Sequence, residues 1–291
     1  MIAGMTYYQI CWYFLLYSFA GWVIEVMYHA VTLGKVVNRG FLNGPVCPVY
    51  GFGMLGVLGL MHTISVESEE NLNPFLLFLV GVVLATIVEL IAGWVLDKLF
   101  HARWWDYSNK PFNLHGYICL EFSLIWGFAV VLIVRIIHPM LADLPDSFIP
   151  ERYGWPILAC LYALYLVDLI CTVMIILKFN KRITELDELQ KKLRIVSDRM
   201  SERIGTDTVK AAQTLQEGQI QAALGKAELK EDLEERKADL QKRRLELESK
   251  ITAHQLFGAG RILHAFPTYN HHDHESVVSE LRQRLRQRIN N

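Results

Sequence analysis

Four acids, Glu25, Glu89, Glu121 and Asp168, stand within or against apolar runs of a 291-residue chain. An ionisable side chain at the centre of a bilayer costs at least ~2.5 kcal/mol on insertion scales, so each needs a partner, water or a task. Glu89 shares a four-residue repeat with Gly81, Ala85 and Gly93, which sets one acid on a stripe of small residues suited to close helix contact. Gly21, Glu25 and His29 repeat the spacing, and Tyr165, Asp168 and Thr172 make a third polar stripe. Acids from several helices converging at one depth suit a cation, a proton or a polar solute. The structural alternative is that they pair with Arg39, Arg103 or backbone donors and fasten the helices together.

Two connections carry further candidates. The run Val37-Asn38-Arg39-Gly40-Phe41-Leu42-Asn43-Gly44-Pro45-Val46-Cys47-Pro48-Val49-Tyr50-Gly51-Phe52-Gly53 is too rich in Gly and Pro for a plain helix. Irregular backbone near a membrane survives only where protein or water satisfies its polar groups, so this loop is expected to pack into the bundle. Asn38, Arg39 and Asn43 offer donors to an anion or a head group. The cluster Trp104-Trp105-Asp106-Tyr107 reads first as an interfacial anchor. Its second reading makes Asp106 and His115 a head-group site, or the acid and base of a membrane enzyme. No nucleophile with an adjacent base and no HExxH motif supports a particular reaction, so catalytic residues stay unassigned and no cofactor is expected. The five cysteines are odd in number and form no CxxC pair, which points to neither a disulfide framework nor a metal site.

These residues need elements to hold them. Before Lys178 there are seven Lys and Arg against twelve Asp and Glu; from Lys178 onward there are twenty-two against eighteen. The net charge of -1 therefore describes neither half. A hydrocarbon core ~30 Å thick needs about 20 apolar residues of helix, and five stretches offer that length: near 8–28, 47–64, 74–96, 116–137 and 155–177. The first lacks a basic leader, because the first Lys or Arg is Lys35, and reads as a retained helix. The fold class is all-α: a polytopic bundle of about five membrane helices with a helical, coiled-coil-like tail. Domain boundaries fall at 1–180 for the bundle, 181–255 for the coiled-coil-like region and 256–291 for a basic amphipathic segment.

Basic residues near spans favour the cytoplasm. Lys35, Arg39, Lys98, Arg103, Lys110, Lys178, Lys181 and Arg182 fall in alternate connections, whereas Glu67, Glu69, Glu70, Asp143, Asp146 and Glu151 fall in the others. This predicts an outside N-terminus, a cytoplasmic tail and a multi-pass protein of the cell membrane. Glu25, Glu89 and Glu121 then lie toward the cytoplasmic half, with Asp168 deeper, and a polar cavity opening to the cytoplasm is expected. In the tail, Leu186, Leu189, Leu193, Val196 and Met200, then Leu229, Leu233, Leu240, Leu247 and Ile251, make apolar lines for short coiled coils or a hairpin. Val277, Val278, Leu281, Leu285 and Ile289 alternate with arginines, a pattern suited to the anionic inner leaflet or an acidic partner. His264, His271, His272 and His274 form a local His-rich patch that, lacking Cys and a regular helical spacing, reads first as solvated surface and only second as a metal site.

The motif loop, with Gly21-Trp22-Val23-Ile24-Glu25 before it and Trp104-Trp105-Asp106-Tyr107-Ser108 and Phe112-Asn113-Leu114-His115-Gly116-Tyr117-Ile118 after it, resembles the Putative ABC-transporter type IV permease family of bacterial membrane proteins. Gly260-Arg261 and Ala265-Phe266-Pro267 are similar to the end of its longer members. The resemblance implies a permease-like membrane transport component, with no substrate attached. Its site residues would be Glu25, Asn38, Arg39, Asn43, Glu89, Asp106, His115 and Glu121. No G-x-x-x-x-G-K-[ST] loop is present, so a transporter of this kind needs a separate ATPase subunit. About five spans are few for a complete path, which points to a homo- or hetero-oligomer in the lipid bilayer and gives no role to nucleic acid. The alternative is a membrane-embedded enzyme or lipid-head-group binder using the same polar cluster.

Overall fold

The computed structural model describes residues 4–34, 36–64, 73–142, 149–211, 219–252, 259–266 and 268–290. Lys35, Glu67, Glu69, Glu70, Asp143, Asp146 and Pro267 lie outside them. The chain is nearly all helix: α1 (Tyr7–Leu33), α2 (Pro48–Ile64), α3 (Pro74–Phe100), α4 (Leu120–Leu132), α5 (His138–Ala142), α6 (Glu151–Ala211), α7 (Gln219–Thr252), α8 (Ala259–Ala265) and α9 (Glu275–Asn290). The described residues also hold four strands of two residues: β1 (Ala102–Arg103), β2 (Asn113–Leu114), β3 (Ile118–Cys119) and β4 (Asn270–His271).

Contacts divide the chain into two compact units, Met1–Ile176 with Gln255–His272, and Leu177–His254 with Asp273–Asn291. In the first unit, α1 starts at a capping box: Thr6 Oγ1 accepts from the Gln9 N–H, and Gln9 Oε1 accepts from the Thr6 N–H. It stops at Gly34, whose φ of 64° only glycine adopts freely. Asn73 caps α3 with Pro74 in its first turn. Helices α4 and α5 are joined through a π-helical turn at Ile133–Ile137 and together make one 23-residue apolar segment.

Among the described residues, four helical segments are long and apolar enough to cross a membrane: Tyr7–Val31, Pro74–Phe100, Leu120–Ala142 and Glu151–Glu202. Helix α2, expected as a further span, is a Gly-rich helix of 17 residues. Two expected boundaries move. The fourth apolar helix begins at Leu120, because Asn113 pairs with Cys119 and Leu114 with Ile118 in a short hairpin that removes residues 116–119 from it. The last one continues without a break as far as Ala211, since the charged sequence after Leu177 keeps good helix formers and has no proline.

Inside the first unit, tyrosine hydroxyls bind carbonyls on neighbouring segments, which satisfies polar groups where water is scarce. Tyr8 donates to Ile149 O at 2.7 Å, Tyr13 to Ala142 O at 2.8 Å and Tyr162 to Cys11 O at 3.0 Å. Tyr17 hydrogen-bonds His138 Nδ1 at 2.7 Å. Glycines set the closest approaches: a Cβ at Gly81 would meet Val130 at 2.8 Å, and one at Gly127 would meet Val82 at 2.5 Å. Among the described residues, Gly53 and Gly56 set no such approach. Nothing lies within 4 Å of a Cβ at either, and the close contact of α2 is made instead at Gly51, against Ser18 and Phe14.

The second unit packs its part of α6 with α7 and α9. Phe179, Ile183, Leu186, Ile251, Val277, Val278, Leu281 and Leu285 are buried there. The apolar face of α9, matched from sequence to a lipid leaflet or an acidic partner, is therefore turned into this unit. Its arginine follows: Arg284 pairs with Glu248 and with Glu280, while Arg244 pairs with the same two acids. The side chains of Arg286, Arg288 and Ile289 lie outside the described residues.

Candidate functional site

The candidate polar groups of the first unit, as read from the sequence, fall into three sets. The first gathers around Glu25. Tyr50 donates its hydroxyl to Glu25 Oε1 at 2.6 Å. Arg39 Nε stands 3.9 Å and His29 Nδ1 3.5 Å from Oε2, and His29 also donates to the Glu25 carbonyl at 3.0 Å, a bond that fixes its ring. The ring of Tyr50 fits only because residue 21 has no side chain, since a Cβ there would lie 2.2 Å from it. Gly21→Ala is accordingly expected to push Tyr50 off Glu25 and cost about 1–3 kcal/mol, as overpacking does; thermal unfolding in detergent checks it. Tyr50 packs edge-on against Trp126 at 5.4 Å. Nearby, Tyr107 donates to Glu89 Oε1 at 3.2 Å and stacks on Phe122. Trp126 also approaches the Glu89 carboxylate, yet Glu89 Oε2 is buried and closes no hydrogen bond among the described residues.

The second set is the motif loop and its anchors. Asn38 organises the loop from within: its Oδ1 accepts from Trp22 Nε1 at 2.8 Å and from the Gly40 N–H at 3.0 Å, and its Nδ2 donates to Asn43 O at 2.6 Å. Asp168 receives the Gly44 N–H at 2.8 Å, the Asn43 N–H at 3.2 Å and Asn43 Nδ2 at 3.1 Å; Nδ2 also donates to Thr172 Oγ1 at 2.8 Å. From the other side Arg261, only 3% exposed, donates to Gly40 O at 2.7 Å, Phe41 O at 2.9 Å and Asn38 O at 3.4 Å. Burial pushes its guanidinium down to about 10, against the pull of Asp168, so it remains charged at neutral pH. One acid thus takes the loop's amides and one base takes its carbonyls. Cys47 lies beside them, buried. Such a thiol is inert while the loop is closed.

The third set lies at the surface. Glu121 is exposed and pairs with Lys110 at 2.8 Å. Asp106 is exposed, accepts from the Ser108 N–H at 2.9 Å and faces Arg103 at 3.7 Å. His115, with φ of 51°, occupies the exposed turn of the β2–β3 hairpin. The structure therefore brings Glu25, Arg39 and Glu89 into one neighbourhood, ties Asn38 and Asn43 into the loop beside it, and sets Asp106, His115 and Glu121 outside.

Sequence reasoning passed over Tyr50, Tyr107 and Arg261. Tyr50 and Tyr107 both sit inside the motif runs, which was the available signal; for Arg261 the Gly260-Arg261 pair was the only one. It also missed Asp97, which is buried against Tyr117, His272 and Arg103. Among the described residues no group of His, Cys, Asp and Glu is arranged to hold a metal. The four tail histidines are not one patch: His272 pairs with Asp97, His274 with Asp187, and His271 is buried in β4.

No curated protein and no solved structure matches the chain. A family model does, over residues 12–173, a span that takes in most of α1, the motif loop, α2, α3, the hairpin, α4 and the apolar start of α6. With apolar helices of membrane-crossing length and more than half of its residues within that match, the chain is a membrane protein and belongs to the Putative ABC-transporter type IV family.

Proposed function

We propose that this chain is a permease-like component of a transport system whose solute path passes Glu25, Arg39 and Glu89, with Asn38 and Asn43 shaping the loop alongside. The carrying observation is the Glu89 carboxylate, with one oxygen bound to Tyr107 and the other buried without a hydrogen bond among the described residues. An open buried acceptor costs ~1–3 kcal/mol, which a purely structural acid avoids by pairing fully. A group that takes up a proton, a cation or the ammonium of a passing solute must keep an oxygen to offer.

The rest of the reading follows from charge and size. Arg39, Lys98, Arg103, Lys110, Lys178, Lys181 and Arg182 favour a cytoplasmic placement of their connections, with α2 counted as a fifth span, an outside N-terminus and an inside tail in the cell membrane. A 17-residue helix lies at the short end of the ~17–25 residues that span a bilayer. Energy would come from a separate ATPase subunit, and a complete path from association with further subunits.

Purification of the tagged full chain in mild detergent, followed by reconstitution, tests this reading. The expected result is a co-purifying ATPase and ATP-dependent uptake of a solute into vesicles. Conversion of a lipid or other substrate by the chain alone, without ATP, would overturn it in favour of a membrane enzyme.

A further inference from the structure

Residues 259–266 and 268–272 are far from the motif loop in sequence, yet they anchor on that loop, on the end of α3 and on the β1–Trp104 stretch that follows it. Arg261 fills the carbonyl cradle of Asn38, Gly40 and Phe41. Arg39 returns the contact: its Nη1 donates to Ala265 O at 2.7 Å, and its guanidinium lies 5.3 Å above the Phe266 ring. Phe266 and Tyr269 meet Trp104 edge-on at 6.4 and 5.5 Å. β4 pairs antiparallel with β1, Ala102 opposite His271, and His272 closes on Asp97 at 2.5 Å.

Arg39 is the hinge of the argument. Its guanidinium serves Glu25 on one side and Ala265 and Phe266 on the other, so the group that neutralises the site acid is also the group that the segment holds. Beside the buried Ile262, Leu263, Phe266 and Tyr269, the segment is held by arginine head groups on carbonyls, the His272–Asp97 pair and two residues of strand pairing, interactions that break together once one end lifts. We propose that residues 259–266 and 268–272 act as a latch: docked, they clamp the motif loop closed over the Glu25–Arg39–Glu89 cluster, and lifting them frees both the loop and Arg39. As a gate for solute this deepens, and rests on, the permease reading; as a clamp on the loop it stands alone.

Cys47 reports the clamp without any transport assay. Its thiol is buried beside the Arg261 cradle, so a water-soluble maleimide reaches it only when the loop opens. In the full chain, with alkylation followed at the Cys47 peptide by mass spectrometry, Arg261→Ala is expected to raise the rate about tenfold. A tether guards against a variant that merely unfolds. Ala102 and His271 face each other as a non-hydrogen-bonded pair, because the His272 N–H donates to His101 O, and such pairs place Cβ atoms at disulfide distance. Ala102→Cys with His271→Cys, oxidised, is expected to slow Cys47 alkylation below the reduced rate, with Arg261 present or replaced. Equal rates in oxidised and reduced chains, or no acceleration in Arg261→Ala, would overturn the latch and leave the permease reading untouched. Faster labelling in a chain that transports nothing would keep the clamp and remove the gate.

Discussion

Asp168→Ala is expected to lower stability by about 3 kcal/mol, the largest effect of any single change outside the apolar core. The carboxylate accepts two backbone amides of the motif loop, Asn43 and Gly44, and one side-chain amide. Hydrogen bonds to a charged acceptor contribute about 1.5–3 kcal/mol, and the part-buried donors it leaves behind lose their partner. Asp168→Asn keeps an acceptor oxygen and should recover about half of the loss. Denaturation in detergent followed by tryptophan fluorescence measures both, with Trp22 reporting locally because its indole is bonded to Asn38 of the same loop. A change below about 1 kcal/mol for Asp168→Ala would mean that the loop is held elsewhere.

Arg39→Ala should cost nearly as much, about 2–3 kcal/mol, for a different reason. It leaves the Glu25 carboxylate with Tyr50 and His29 but no permanent positive charge, and it opens the Ala265 carbonyl. Removing one partner of a shielded ion pair is worse than removing both. Glu25→Gln introduced on top of Arg39→Ala should therefore cost at least about 1 kcal/mol less than it does in the parent chain. Strict additivity in that cycle would mean the two charges do not interact.

The helices were legible because runs of about 20 apolar residues have few other uses. Their ends were less so. Residues 116–119 are as apolar as the helix that follows, and nothing local distinguishes a hairpin strand from a first helical turn there. Gly53 and Gly56 look like packing positions, but a glycine leaves the same mark whether it faces a neighbour or open space. Helix α9 shows the same ambiguity at the scale of an element: an apolar stripe flanked by arginine fits a lipid leaflet and fits a protein core with acids at its rim, and Glu248 and Glu280 decide for the second. In the site, Glu25 and Arg39 could be paired from charge alone. The Arg261 cradle could not, because it is made of backbone carbonyls more than two hundred positions away, which carry no side-chain signature.

Two acids close to each other in sequence logic, and far apart in environment, give the most direct test. Glu89 is half-buried with an open oxygen beside Glu25, whereas Glu121 is exposed and satisfied by Lys110. Uptake of the transported solute into vesicles carrying the co-purified system should fall at least about tenfold in Glu89→Gln, with insertion and thermal stability retained. It should stay within about twofold of the parent in Glu121→Gln, whose surface ion pair contributes little. Equal uptake by both variants and the parent would contradict a solute path through the Glu25–Arg39–Glu89 cluster.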